Sequence, residues 1–136
     1  MSSIFSKIVS GQIPCHKVAE TELYLAFLDI NPLSKGHTLV IPKQETDYIF
    51  DLEDPLLSGL MLFAKKVAKA IEQTVPCQRI GVAVIGLEVP HAHIHLVPIN
   101  HIHDLDFSKT RVTMSREEYA DLAQAIGDLV AVLGSG

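Results

Sequence analysis

The chain has 136 residues, 48% of them hydrophobic and 20% charged, with a formal net charge of -5. That length suits one domain, residues 1–136, with a core of useful size. No apolar run approaches the roughly 20 residues of a membrane span, and no basic stripe offers a nucleic-acid groove.

The segment Met1–Lys7 lacks a signal-peptide pattern, so a cytoplasmic protein is expected. The acidic balance still permits a small phosphorylated ligand, which needs only a few local donors. Cys15 and Cys77 are isolated and belong to no Cys-x-x-Cys motif, so both read as ordinary small side chains.

In chain order, Phe5, Ile8 and Val9 fall at helical spacing and predict a short helix ended by Gly11 and Pro14. Two strands are expected around Cys15–Ala19 and Leu23–Asp29, with turn signals at Asn31-Pro32 and Lys35-Gly36. His37–Ile41 predicts a third strand, stopped near Pro42. A long helix is predicted from Asp54, read as the N-cap, with Pro55 at the first helical position. Leu56, Leu60, Phe63, Val67 and Ile71 form its apolar face, with Lys65, Lys66 and Lys69 off it. Ile80–Ile85 reads as a buried strand, followed by a connection over Gly86–Pro90. The last helix opens at Ser115-x-x-Glu118, a capping-box pattern, with a stripe of Tyr119, Leu122, Ile126, Leu129 and Leu133. Short strands with two main helices predict an α+β fold, helices packed on an antiparallel sheet.

The densest chemistry lies in His91-Ala92-His93-Ile94-His95. In an extended chain alternate side chains share a face, so three imidazoles would sit within about 7 Å at roughly 3.4 Å per residue. Packing alone does not ask for them, because each brings nitrogens that must find partners. Phosphate chemistry or metal binding would. His101 and His103 continue the alternation but read as solvated loop residues.

His-x-His-x-His with apolar residues between resembles the signature of the histidine triad (HIT) family. Three further stretches resemble its landmarks, in order: Ser3–Pro14, Leu25–Pro32 and Gly36–Lys43. The resemblance implies a compact HIT-like fold, an antiparallel sheet of about five strands packed with two main helices. It also implies a homodimer joined through helix and strand contacts. The implied activity is cleavage or transfer of a nucleoside monophosphate, such as AMP, with no cofactor. The short chain looks most like the phosphoramidate-hydrolase branch. Hydrolysis of dinucleoside polyphosphates is compatible with it.

By the same resemblance His93 would be the nucleophile on the α-phosphorus. His91 and His95 would flank it and, as donors, hold phosphate oxygens, and His37 would orient the others. The residue types fit: neutral imidazole attacks through one nitrogen when the other holds the proton, and a covalent intermediate divides a hard displacement into two easier ones. Asp29 matches the family acid that holds the ribose hydroxyls, the favoured reading, with a cap on the turn before Asn31-Pro32 as the alternative. Phe5, Ile8, Phe27 and Ile30 match positions that sandwich the base, and are also residues any core would use.

The chain departs from the family pattern in three places. Glu88 stands where many relatives carry a Ser or Thr that meets phosphate; it either shares a proton there or points into solvent. The usual Asn or Asp on the preceding strand has no match in Ile80–Ile85. Some bacterial relatives hold structural zinc through an N-terminal Cys-x-x-Cys pair and a later histidine. Here those positions are Ser3 and Ser6, and Gln44-Glu45-Thr46-Asp47 follows Lys43, so no structural zinc is expected. Two other functions stay open on the residues: a metalloenzyme built on the histidines, and a nucleotide-binding module without turnover.

Overall fold

The computed structural model describes residues 2–134. Strands β1 (Lys17–Glu20), β2 (Tyr24–Leu28), β3 (Thr38–Pro42), β4 (Arg79–Ala83) and β5 (Ile94–Ile99) form one sheet in the order β1-β2-β3-β5-β4. Every neighbouring pair is antiparallel. Helices α1 (Ile4–Val9), α2 (Asp54–Thr74) and α3 (Arg116–Gly134) complete it, with single 3-10 turns at Ile49–Asp51 and Ile102–Leu105. This is the α+β architecture expected, with α2 carrying the chain from β3 to the far edge.

Alternation along β2 explains how the sheet serves two sides. Tyr24, Ala26 and Leu28 pack into a large core under α2 and α3 with Leu60, Val67, Ile71 and Ile126. Leu25 and Phe27 point the other way, into a smaller cluster with Phe5, Leu39 and Ile41. All five β2 residues are therefore buried. Paired residues share a face, and Leu39 pairs with both Phe27 and His95. That register sets His95 on the α1 side of the sheet, away from the main core.

The helix stripes fall where periodicity put them: Leu60, Phe63, Val67 and Ile71 are buried, and Lys65, Lys66 and Lys69 are exposed. The N-cap of α2 is Glu53, with Asp54 the first helical residue, so the cap lies one position earlier than the sequence suggests. At α3 the capping box is real: Glu118 N–H donates to Ser115 Oγ at 3.1 Å, and Ser115 N–H donates to Glu118 Oε1 at 3.2 Å.

Two expected strands differ. The sequence predicts a buried strand over Ile80–Ile85, but β4 is an edge strand that ends at Ala83, and Val82, Val84 and Ile85 are exposed. Apolar composition marks a strand there without saying which neighbours cover it. The histidine segment enters the ladder only at Ile94. Pro42, which closes β3, has no N–H to extend pairing, and its carbonyl oxygen accepts from the His91 ring instead.

Candidate active site

The site forms where β5 begins. Residues 91–93 run outside the ladder, held by Ala92 N–H donating to the Thr46 carbonyl at 2.6 Å. A tight turn delivers His37 to the start of β3. Its Gly36 has φ +100, and a Cβ there would lie 3.0 Å from Val75 Cγ2, so only glycine fits.

Hydrogen-bond partners determine the proton position on all four rings. His93 Nδ1 lies 2.7 Å from the carbonyl oxygen of His91. A carbonyl only accepts, so Nδ1 carries the hydrogen, and in the neutral ring Nε2 keeps its lone pair. Leu33 N–H donates to His37 Nδ1 at 3.0 Å, which places the His37 hydrogen on Nε2. That Nε2–H meets His95 Nδ1 at 3.0 Å, so the His95 hydrogen sits on its own Nε2. His91 Nε2–H donates to Pro42 O at 2.8 Å, and Ser3 Oγ–H donates to His91 Nδ1 at 2.8 Å.

Among the described residues no buried side-chain nitrogen or oxygen lacks a partner. The Nε2 atoms of His93 and His95 have no protein partner and therefore open to the cavity. One offers a lone pair and the other an N–H donor. Burial pushes the His37 and His95 pKa values down to about 3, reinforced at His37 by Arg111 and at His95 by His93. Burial also lowers that of His91. These rings are neutral at pH 7, so His95 acts as a neutral donor.

A cavity of about 460 Å³ opens beside them. Its lining includes His93, His95, Asp29 and Glu88, together with Phe5, Ile8, Phe27 and Ile30. Eight of the ten expected site residues therefore converge. His37 and His91 do not line it: both are buried behind, His91 with no exposed surface. His91 spends both ring nitrogens on the protein, which leaves none for phosphate oxygens.

Asp29 caps the turn and lines the cavity. Oδ1 accepts from Asn31 N–H at 2.8 Å, capping the turn, and Oδ2 stands 3.4 Å from His37 Nε2. Ile30 is 78% exposed and forms the rim. Glu88 lines the mouth while remaining exposed.

Sequence reasoning missed Phe107 and Arg111, which also line the cavity. Phe107 packs edge-on against His95 with ring centroids 4.7 Å apart, and Arg111 lies over Phe107 at 5.7 Å. The guanidinium is tied to the carbonyls of Asn31 and Phe107. An aromatic and a cation four apart in a loop were the only signal available.

Two metal arrangements can be tested against these atoms. Asp29, His37 and His95 bring one ligand atom each within 4.8 Å of one another. A metal on His37 Nε2 would need the hydrogen moved to Nδ1, against the Leu33 N–H already pointing there. At the N-terminus, Ser3, Ser6, Glu45 and His91 meet, a set with two hydroxyls where closed zinc sites use Cys and His. Neither set fits a resident metal.

The HIT domain family matches residues 10–102. The chain is 41% identical over 133 residues to adenosine 5'-monophosphoramidase hnt1 of Schizosaccharomyces pombe, covering 96% of this chain and 99% of that protein. Among solved structures it is similar to a Zn-bound histidine triad family protein from Mycobacterium smegmatis (TM-score 0.81, 29% identity, 99% of this chain and 97% of that one). A Hit-like protein involved in cell-cycle regulation from Bartonella henselae gives TM-score 0.80 at 28% identity, covering 94% and 96%. Four landmarks in order, the geometry of the triad and these likenesses agree: the chain belongs to the histidine triad family, with the HIT domain match spanning its sheet and all four site histidines.

Proposed function

We propose that the protein hydrolyses a purine nucleoside phosphoramidate, with AMP as the nucleotide, through a covalent intermediate on His93. The observation that carries this reading is the His93 Nδ1–H bond to the His91 carbonyl, which leaves a neutral Nε2 lone pair open to the cavity. His93 Nε2 attacks the α-phosphorus, the P–N bond breaks, and the amine departs with a proton. Water then attacks the same phosphorus, the P–Nε2 bond breaks, and AMP is released. The net reaction consumes one water and yields AMP and the amine. His95 Nε2–H donates to a phosphate oxygen as charge develops, and His37 fixes that donor. Asp29 accepts from the ribose hydroxyls, and Phe5, Ile8, Phe27 and Ile30 hold the base. The similarity to a yeast adenosine 5'-monophosphoramidase supports this substrate class.

We infer a homodimer as well. The outer edge of β4 is unpaired, Val82 on it and Val84 just beyond it are exposed, and α2 exposes Met61 and Leu62. An open apolar strand edge is a pairing surface unless covered. Light scattering after size exclusion reads the mass directly; a monomer at micromolar concentration overturns the inference.

Hydrolysis of adenosine 5'-phosphoramidate, compared between the wild type and His93→Ala, tests the reaction. Turnover lost with the substitution supports it. AMP binding without turnover in the wild type would make the protein a binding module.

A further inference from the structure

Helix α1 has six residues, Ile4–Val9, too few to persist in water without tertiary support. Yet it carries Phe5, whose ring stands edge-on to His93 at 5.0 Å and to His91 at 5.9 Å. It also carries Ile8 on the cavity wall. What pins the helix therefore sets part of the site.

The pin is Glu45, on the chain after β3. Its Oε1 accepts from Ser3 N–H at 2.6 Å and from Ser6 Oγ–H at 2.6 Å. These donors hold its carboxyl down to about 2, the Ser3 backbone bond contributing most. The cluster has one proton arrangement. The Ser6 hydroxyl hydrogen is committed to Glu45. Ser3 Oγ caps the helix by accepting from Ser6 N–H at 3.0 Å, so its own hydrogen goes to His91 Nδ1. His91 in turn presents the carbonyl that orients His93. Ser3 and Ser6 occupy the positions of the zinc-binding Cys-x-x-Cys pair of some relatives, and the donor set here does not suit that metal.

We propose that Glu45 is a positioning residue for the nucleotide site: its carboxylate clamps α1 through Ser3 and Ser6, and so holds Phe5 and the His91–His93 loop in register without a metal. The proposal rests on the nucleotide reading of the cavity. It places a function on a surface acid that contacts neither the cavity nor the reacting atoms.

The test compares the wild type with Glu45→Ala, Glu45→Gln and Ser6→Ala. AMP affinity is measured by calorimetry, α1 protection by amide exchange, and KM and kcat with adenosine 5'-phosphoramidate. Loss of charge-assisted hydrogen bonds in Glu45→Ala should weaken AMP binding and raise KM by about tenfold, with kcat changed less than about threefold. Exchange should quicken across Ile4–Val9. Gln still accepts from both serines, so Glu45→Gln should recover most of the affinity, and Ser6→Ala should fall between. A purely structural acid would lower melting temperature and active fraction with KM unchanged. That result, or a protected α1 and wild-type AMP affinity in Glu45→Ala, overturns the proposal. Should the wild type bind AMP without turnover, the reaction assigned to His93 fails, while affinity and exchange still decide the clamp.

Discussion

His93 Nδ1 and the carbonyl oxygen of His91 lie 2.7 Å apart, two residues apart in one chain. The orienting acceptor is backbone, so it survives any change of the His91 side chain. Substitutions at the two positions should therefore separate. His93→Ala should reduce kcat by about 10³ or more while AMP still binds, because only the attacking nitrogen is removed. His91→Ala leaves Pro42 O and the Ser3 hydroxyl without their ring partner, and should cost about 1–3 kcal/mol of stability. Single-turnover kinetics and denaturant unfolding on both variants check the split.

Acid should weaken the fold. His37 and His95 are held near 3 by burial, against an ordinary value of 6.5. Between those values an unfolded chain takes up protons that the folded one refuses. Stability from these rings is thus full above about pH 6.5 and is lost as pH falls towards 3. The low pKa of Glu45 acts in the same direction below its ordinary 4.5. Urea midpoints should stay level from pH 8 to about pH 6.5 and fall from there to pH 4; a profile flat throughout would contradict the neutral-ring assignment.

Glu88 supplies a negative group at the cavity mouth with no ion pair among the described residues. An amine leaving group tolerates it better than a polyphosphate does. Glu88→Gln should improve hydrolysis of diadenosine polyphosphates relative to the phosphoramidate by about tenfold, the scale of one like-charge contact at a partly screened site. An unchanged ratio of kcat/KM values would show that the carboxylate faces away from the leaving group.

Cys15 lines the cavity, whereas Cys77 does not. Burial pushes both thiols up, so alkylation should be slow. Saturating AMP should slow maleimide labelling of Cys15 by about tenfold or more, as expected at 10 times Kd or above, and leave Cys77 unchanged. Mass spectrometry of the labelled peptides distinguishes them.

Much of the molecule was legible in its sequence because local chemistry repeats there. Apolar spacing gave the α2 and α3 stripes, Ser115-x-x-Glu118 gave a real capping box, and four ordered landmarks led to the family. Long-range placement was not legible. Nothing local distinguishes an edge strand such as β4 from a central one. Glu45 meets Ser3 across 42 residues, a contact no spacing rule contains. Alternation brought His91 forward as a phosphate contact. Only the fold shows its nitrogens taken by Pro42 and Ser3, and only the fold brings Phe107 against His95.

The neutral rings have one further consequence. Arg111, the cation at the cavity, is engaged with two backbone carbonyls, and the chain carries a net charge of -5. On the proposed reading, a nucleotide phosphate entering here would meet the His95 N–H and the Arg111 charge while approaching against the overall field. Sites assembled from lysine and arginine lose anions as ionic strength rises, because counterions screen the attraction. This one has a single cation of that kind, Arg111, to screen, and the repulsion from the net negative charge is relieved by the same electrolyte. With the two effects opposed, its grip on nucleotides should change little with salt.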